Sequence, residues 1–220
     1  MFTGLVETTG VVISYTPTAG AARLTIAAPG IVERLKLGDS VAVCGVCLTA
    51  VAIEAEARPA RFSADLTAET LARTTLSRLG PGSLVNLELP TAAGTPLGGH
   101  VVQGHVDGVG RLLALDPVAG GGQTDWVLRL RLPAALMRYV VQKGSIAVEG
   151  ISLTVAGIEG EEIWIAIVPH TYSATNLHAL EPGMSVNIEV DVMAKYAERR
   201  AEAGAAACGF TVETLLANGY

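Results

Sequence analysis

Two nucleophilic side chains occupy matching positions in the two halves of the chain. Cys47 lies in VCLT and Ser152 in ISLT, so each follows a β-branched residue and precedes Leu-Thr. Enzymes use thiols and hydroxyls for nucleophilic attack and proton transfer, and here the two types would make similar centres chemically unequal. The alternative for Cys47 is a structural role, because a free cysteine is often a small buried hydrophobic residue.

His100 and His105 are candidates for carrying protons near neutral pH. Their spacing suits a shared metal ion poorly, and the alternative is a structural hydrogen-bonding role at strand ends. Cys44 and Cys47 form a CxxC pair. No second CxxC or HxxxH in the sequence completes a zinc site, and the βαβ context of a redox motif is missing, so no metal is expected.

A tandem repeat positions these residues. Asp39–Val51 aligns with Gly144–Ala156, and Glu69–Pro90 aligns with His170–Asp191. The start of the chain, GLVETTG, aligns with GHVDGVG in the second half. All three blocks are collinear at an offset of roughly a hundred residues, which is typical of a duplicated unit. The copies differ at three notable pairs, Cys47/Ser152, Leu5/His105 and Glu69/His170.

Each unit has the pattern of a small β-domain. Short alternating segments bounded by turn residues predict strands, in the first unit at Gly10–Tyr15, Ala22–Ala27, Ser40–Val43, Leu48–Ile53 and Leu84–Leu89. A short helix is expected at Thr67–Leu76, with Thr67 as its N-cap. Short strands with one helix favour a closed barrel, because closure removes sheet edges. The second unit repeats this plan with a loop at Ala119–Gly122, and Thr91–Gly99 is the expected linker.

The composition changes after Asp191. Val192–Ala207 is rich in alanine with interspersed charges, which predicts a helix, and Phe210–Tyr220 is expected to add a second short helix. This tail has no counterpart in the first unit. Its stripe of small residues needs a partner surface, which is either the chain's own barrel or another copy of the chain.

The overall composition disfavours several classes of partner. Of the 220 residues, 50% are hydrophobic and 16% are charged, and the formal net charge is -6. Nucleic acids and acidic membranes attract basic surfaces, so neither is an expected partner. No apolar run approaches the roughly 20 residues of a membrane span, and no signal peptide is expected. A reduced, cytoplasmic protein is the expectation.

Five motifs together resemble the riboflavin synthase family. They are MFTG at the first residue, GVCLTA at Gly45–Ala50, LGGHVVQGHVDG at Leu97–Gly108, KGSIAVEGISLTV at Lys143–Val155 and VPHTYSATNL at Val168–Leu177. The resemblance implies an all-β fold of two tandem six-stranded Greek-key β-barrels followed by a C-terminal α-helix. The corresponding domains are residues 1–97, 98–192 and 193–220, and the last is expected to serve trimerisation.

The resemblance also implies an activity. Such transferases convert two molecules of 6,7-dimethyl-8-ribityllumazine into riboflavin and 5-amino-6-ribitylamino-uracil by moving a four-carbon unit, without a cofactor. The implied assembly is a homotrimer whose site lies between the N-terminal barrel of one subunit and the C-terminal barrel of its neighbour. Association with lumazine synthase is a further expectation. The competing interpretation is a non-catalytic lumazine- or flavin-binding protein of the same fold.

The family's substrate-contacting segments map onto both halves of the chain. For the half-site around Cys47 the resemblance implies Gly4, Leu5, Val6, Cys47, Leu48, Thr49, Asp65, Leu66, Thr67, Ala68, Glu69 and Thr70. For the half-site around Ser152 it implies Gly104, His105, Val106, Lys143, Ser152, Leu153, Thr154, Ala166, Ile167, Val168, Pro169, His170 and Thr171. Backbone groups at strand ends suit the flat pyrimidinedione edge, and threonine hydroxyls suit ribityl oxygens.

The resemblance places further residues at or near the site. The expected catalytic residues are Cys47, Ser152, His100, His105, Ser40 and Asp191, and Phe2 matches the aromatic residue of the family's N-terminal segment. The alternatives are core packing for Phe2, a common strand-start residue for Ser40 and a solvated charge for Lys143. Cys44 departs from the family, which commonly has a polar residue there, and this puts the hydrogen bond of that side chain in doubt.

Overall fold

Strands dominate the protein, whose computed structural model describes residues 1–18, 21–118 and 124–207, with side chains described up to residue 202. The first barrel contains β1 (Thr8–Thr18), β2 (Ala21–Ala27), β3 (Ser40–Val43), β4 (Val46–Glu54), β5 (Arg61–Thr67) and β6 (Leu84–Glu88). The second contains β7 (Gly108–Pro117), β8 (Trp126–Arg131), β9 (Ser145–Val148), β10 (Ile151–Glu159), β11 (Glu162–Ile167) and β12 (Ser185–Val190). The expected loop at Ala119–Gly122 and the expected second helix at Phe210–Tyr220 lie outside the described residues.

Both barrels are closed and have the same strand order. The first runs β1-β2-β5-β4-β3-β6 and the second runs β7-β8-β11-β10-β9-β12, with all pairs antiparallel. In each barrel the last strand returns beside the first member of a three-strand meander, which is a Greek key. The all-β fold of two six-stranded Greek-key barrels is confirmed.

Alternating side chains build a separate hydrophobic core in each barrel. In β10, Ile151, Leu153 and Val155 are buried while Thr154 and Ala156 are exposed. This period of two is the pattern of a strand with one face toward a core. The first barrel has the equivalent core, which includes Leu48 and Leu66. The strand ends that carry the candidate residues are therefore fixed by close packing on their inner face.

The short helices differ in one respect from the sequence expectation. They are α1 (Pro29–Val32), α2 (Ala68–Arg73), α3 (Ala134–Met137) and α4 (Pro169–Ala174), and 3₁₀ turns follow at Thr75–Arg78 and Asn176–Ala179. Thr67 caps α2 as predicted, since its Oγ1 accepts from the N–H of Thr70. The predicted continuation to Leu76 was wrong, because Thr74 is extended and its hydroxyl caps the 3₁₀ turn instead. The strand Arg61–Thr67 was missed, although Phe62, Ala64 and Leu66 alternate with polar residues along its whole length.

The barrels meet across a buried, reciprocal polar contact. Asn86 Nδ2 donates to the carbonyl oxygen of Glu149, and Asn187 Nδ2 donates to that of Cys44, over 2.9 and 3.0 Å. Asn187 Oδ1 also accepts from the N–H of Thr75 over 2.8 Å. Asn86 and Asn187 occupy equivalent positions in the two barrels, and each contacts the equivalent backbone carbonyl of the opposite barrel. This reciprocity indicates an approximate two-fold relation between the halves.

The predicted helix at Val192–Ala207 is present as α5. Its first turns lie against the chain's own second barrel, where Lys195 pairs with Asp107 and Arg138 pairs with Glu198. Met193 and Tyr196 remain 65% and 64% exposed. Among the described residues, no helix combines the length and apolar character needed to cross a membrane.

Candidate active site

A cavity of about 360 Å³ lies beside Cys47 at the border between the two halves of the chain. Its volume falls in the range of small-molecule sites. We call it the first half-site, and its lining residues are Val46, Cys47, Glu69, Thr70, Arg73, Thr74, Gly104, His105, Val106 and Asp107. The first six belong to the first barrel, and the remaining four belong to the segment that leads into β7 of the second.

That segment crosses from the second barrel to the first. The N–H of Cys47 donates to the carbonyl oxygen of Gly104 over 2.9 Å, and Val106 packs against the core of the first barrel. Gly104 has φ of +80°, and a Cβ there would lie 2.6 Å from the Cβ of Cys47. Both the backbone conformation and the close approach require glycine.

The second half-site, around Ser152, is built in the same way by the start of the chain. The N–H of Ser152 donates to the carbonyl oxygen of Gly4 over 2.7 Å, and Val6 packs against the core of the second barrel. The sequence grouping was therefore wrong in one respect. It placed Gly4–Val6 with Cys47 and Gly104–Val106 with Ser152, whereas each segment crosses to the opposite barrel.

A buried carboxylate anchors each crossing segment. Glu189 accepts hydrogen bonds from the N–H groups of Gln103, Gly104 and His105 over 2.7, 3.0 and 3.0 Å. Glu88 plays the same part in the first barrel, where it accepts from Thr3 and Gly4. Burial raises the pKa of both carboxyl groups, while these hydrogen bonds act in the opposite direction. The carboxylates fix the backbone that faces each half-site.

Ser152 and His100 form a hydrogen-bonded pair in the second half-site. Ser152 Oγ lies 2.7 Å from His100 Nδ1, and the N–H of His100 donates to the carbonyl oxygen of Thr3. Burial lowers the pKa of His100 below its ordinary value of 6.5, although the charge of Asp191 opposes this shift. A neutral imidazole at pH 7 is able to accept a proton. Asp191 Oδ1 also caps α5 by accepting from the N–H of Met193.

Of the other expected site residues, His105 lines the first half-site, whereas Phe2 and Ser40 do not line its cavity. His105 lines its cavity and is exposed, so the structure separates the two histidines. Phe2 is fully buried in the cluster between the barrels, beside Val102 and Cys47. Ser40 pairs with Thr49 in the β3–β4 ladder and does not line the cavity. Cys47 and His105 thus belong to the first half-site, and Ser152 and His100 belong to the second.

The remaining expected binding residues fall into four groups. Glu69 and Thr70 line the first half-site. Leu48, Leu66, Leu153 and Ile167 belong to the barrel cores. Asp65 is held in an exposed ion pair with Arg23, and Lys143 is exposed in the turn before β9. The other residues lie at strand ends, on outward strand positions or on the short helices of the two barrels. They are Thr49, Thr67, Ala68, Thr154, Ala166, Val168, Pro169, His170 and Thr171.

The rims of the two half-sites differ in charge. In the first, Glu69 and Arg73 form an ion pair of 2.6 Å along α2. At the aligned positions of α4 the second half has His170 and Ala174. The two half-sites therefore share a framework but offer different groups to a ligand. Within the described chain, no three His, Cys, Asp or Glu side chains come together as a metal site would require.

Several residues at the border between the barrels were missed from the sequence. Val46, Arg73, Thr74 and Asp107 line the first half-site in addition to the expected residues. Glu88 and Glu189 gave a signal, since an acidic residue repeats at the same place in two aligned strands. Cys44, whose polar contact was in doubt, accepts from Asn176 Nδ2 over 3.6 Å beside the buried carboxyl of Glu149.

Comparisons with known proteins agree with this arrangement. The lumazine binding domain family matches residues 3–90 and 103–191, one copy in each barrel. Riboflavin synthase of Mycobacterium tuberculosis is 48% identical over 203 residues, covering 90% of this chain and 97% of the relative. Riboflavin synthase of Bacillus subtilis is 39% identical over 199 residues, covering 90% of this chain and 89% of the relative.

Solved structures give the same result. LumP complexed with riboflavin has a TM-score of 0.78 at 26% identity, covering 86% of this chain and 99% of that chain. LumP complexed with 6,7-dimethyl-8-(1'-D-ribityl) lumazine has a TM-score of 0.76 at 25% identity, with the same coverage. The fold and the duplicated site define a tandem lumazine-binding barrel protein. Within that class, the chain belongs to the riboflavin synthase family.

Proposed function

We propose that the protein is a transferase that converts two molecules of 6,7-dimethyl-8-ribityllumazine into riboflavin and 5-amino-6-ribitylamino-uracil. The observation that carries this proposal is the pair of half-sites around Cys47 and Ser152, one for each substrate molecule. The two products together contain the atoms of the two substrates. The four-carbon transfer therefore needs no external oxidant, and bringing the two molecules together supplies much of the rate.

The half-sites have complementary chemistry for this reaction. One lumazine must lose a proton from its 7-methyl group, and the other must accept a nucleophile at C7. In the second half-site, neutral His100 bonded to Ser152 suits proton removal. In the first, Cys47 or a water beside His105 suits the nucleophilic addition.

The rival function is lumazine or flavin binding without turnover, and the likeness to LumP suggests it. Ser152, His100, Cys47 and His105 are all present, and this favours the enzyme. Purified protein incubated with the lumazine should form riboflavin, followed by its absorption. Tight binding without any product would contradict the enzyme and support the rival.

Our proposal includes a homotrimer in which the first half-site of one subunit faces the second half-site of the next. It is supported by exposed apolar residues on the outside of α5, Met193 and Tyr196, and around the second half-site, Leu5 and Val168. Sedimentation should give three times the chain mass, and a monomer would contradict it. We further propose a cytoplasmic location, consistent with the free thiols of Cys44 and Cys47. Association with lumazine synthase is proposed as well, and co-sedimentation of the two proteins tests it.

A further inference from the structure

The segment that crosses to the first half-site ends at Asp107. The carboxylate of Asp107 forms an ion pair with Lys195 of helix α5. Asp107 Oδ1 accepts from Lys195 Nζ over 2.6 Å, and Asp107 Oδ2 accepts from the N–H of Val190 over 2.9 Å. The side chains of Lys195 and Asp107 are only 28% and 23% exposed. The pair is therefore largely shielded from solvent, and Asp107 itself lines the cavity beside Cys47.

The first barrel has an equivalent ion pair, but its cation comes from the barrel itself and not from α5. Glu7, which aligns with Asp107, accepts from the N–H of Leu89 over 2.9 Å through Oε1 and pairs with Arg34 through Oε2. Arg34 lies two residues after the end of α1 in the same barrel. In the first barrel, the carboxylate at the end of the crossing segment and its cationic partner thus come from the same repeat.

In the second barrel the position of Arg34 is taken by Tyr139. The two residues are equivalent, because the N–H of Arg34 donates to Ile31 and that of Tyr139 donates to Leu136, each over 3.0 Å. The Tyr139 hydroxyl instead lies near Glu198 of α5, whose carboxylate raises the pKa of the hydroxyl. Arg138 pairs with the same carboxylate. The barrel therefore holds the helix at Glu198, and the helix supplies the missing cation one turn earlier.

We propose that Lys195 is a positioning residue for the first half-site. Through Asp107 it holds Gly104–Val106 against Cys47, so a helix outside the repeat supports a site that the first barrel completes. Without the ammonium group, Asp107 is a largely shielded carboxylate with one charged partner fewer, and the segment loses a restraint at its C-terminal end. Lys195 touches no substrate in this account. The inference rests on the proposed function only where turnover is the readout.

Cys47 reactivity measures the position of the segment without any catalysis. Gly104 lies directly against Cys47, so a loosened segment should expose the thiol to iodoacetamide. We expect Lys195→Met to raise the alkylation rate of Cys47 at least about fivefold, with Lys195→Arg within about twofold of wild type because it keeps the charge. Mass spectrometry of the digested protein distinguishes Cys47 from Cys44 and Cys208.

Two further variants separate positioning from simple docking of the helix. Arg138→Met weakens the attachment of α5 at Glu198 without touching the segment, and it should leave the alkylation rate of Cys47 within about twofold of wild type. Asp107→Asn removes the other charge and should behave like Lys195→Met, and the double variant should be no worse than either. Asp107→Asn also keeps the test available if Lys195→Met does not fold.

Turnover gives the second readout. With 6,7-dimethyl-8-ribityllumazine as substrate, Lys195→Met should raise KM about five- to tenfold with a smaller change in kcat, because the residue organises binding rather than chemistry. Wild-type alkylation rates in Lys195→Met and Asp107→Asn, or an equal increase in Arg138→Met, would overturn the inference. A protein that makes no riboflavin would defeat the proposed function, yet the alkylation result would still decide this inference.

Discussion

The backbone N–H of Cys47 donates to the carbonyl oxygen of Gly104, a residue of the segment that belongs to the other barrel. Ser152 and Gly4 make the same contact in the opposite direction. Each half-site is therefore completed by the repeat that does not contain its nucleophilic side chain. A single repeat would therefore have only part of each half-site.

The side chains of Cys47 and Ser152 should be required for turnover but not for folding. Cys47→Ser keeps the size and removes the thiol, and Ser152→Ala removes the hydroxyl that contacts His100. We expect kcat for riboflavin formation to fall at least about tenfold in each. Ser77→Ala, at an exposed position of a 3₁₀ turn, is the control and should be unaffected. Wild-type kcat in both site variants would remove these residues from the mechanism.

His100 should make the stability of the protein depend on pH in the acid range. Burial holds its pKa below the ordinary value of 6.5, so the unfolded chain binds the proton more readily. The stabilisation is present above pH 6.5 and is lost as the pH falls through the folded value. Between about pH 7.5 and 5, the melting temperature of His100→Gln should fall less steeply than that of wild type. His178→Gln, at an exposed position, is the control, and parallel curves for His100→Gln and wild type would contradict the account.

Glu189 should control a half-site in the other barrel. Glu189→Gln keeps the shape but removes the charge that accepts from three backbone N–H groups. We expect the free energy of unfolding to fall by about 2 kcal/mol, with KM for the lumazine several-fold higher. Urea denaturation and initial rates measure the two effects. Glu159→Gln, on the exposed end of β10, should change neither, and a Glu189→Gln variant equal to it would be inconsistent with the anchoring role.

Mixed oligomers should recover activity if the half-sites meet across subunits. A Cys47→Ser chain keeps an intact second half-site, and a Ser152→Ala chain keeps an intact first one. After unfolding and refolding together, some subunit boundaries would combine the two intact half-sites. Riboflavin formation should then exceed the sum of the separate variants several-fold. Additive activities at every mixing ratio would mean that each chain pairs its own half-sites.

The sequence predicted the framework well because the repeat aligned apolar strand patterns with each other. Alternation in β10 and the N-cap at Thr67 are local signals, and both appear as expected. The strand Arg61–Thr67 has the same kind of alternation and could have been predicted, but it was missed. The helix was predicted to continue through Thr74 because the sequence does not show that its hydroxyl terminates the turn.

It was harder to predict which segments combine in each half-site than to predict which residues belong to the half-sites. Motif matching assigned Gly4–Val6 to the barrel that follows it in sequence, whereas the segment crosses to Ser152. Crossing depends on how two barrels pack, and no local pattern records that. The pairing of Ser152 with His100 likewise joins residues far apart in the chain. The repeated acids Glu88 and Glu189 were the one available hint, since a buried charge needs specific partners.

Glycine substitution tests most directly whether both crossed half-sites are needed for the reaction. A Cβ on Gly104 would lie 2.6 Å from the Cβ of Cys47, and one on Gly4 would lie 2.6 Å from that of Ser152. Gly82 has a similar positive φ of +89° with no atom within 4 Å, so Gly82→Ala is a control for backbone strain alone. In folded protein, Gly104→Ala and Gly4→Ala should each lower kcat/KM for riboflavin formation at least about thirtyfold, with Gly82→Ala within about threefold of wild type. Wild-type kcat/KM in either Gly104→Ala or Gly4→Ala would contradict the account.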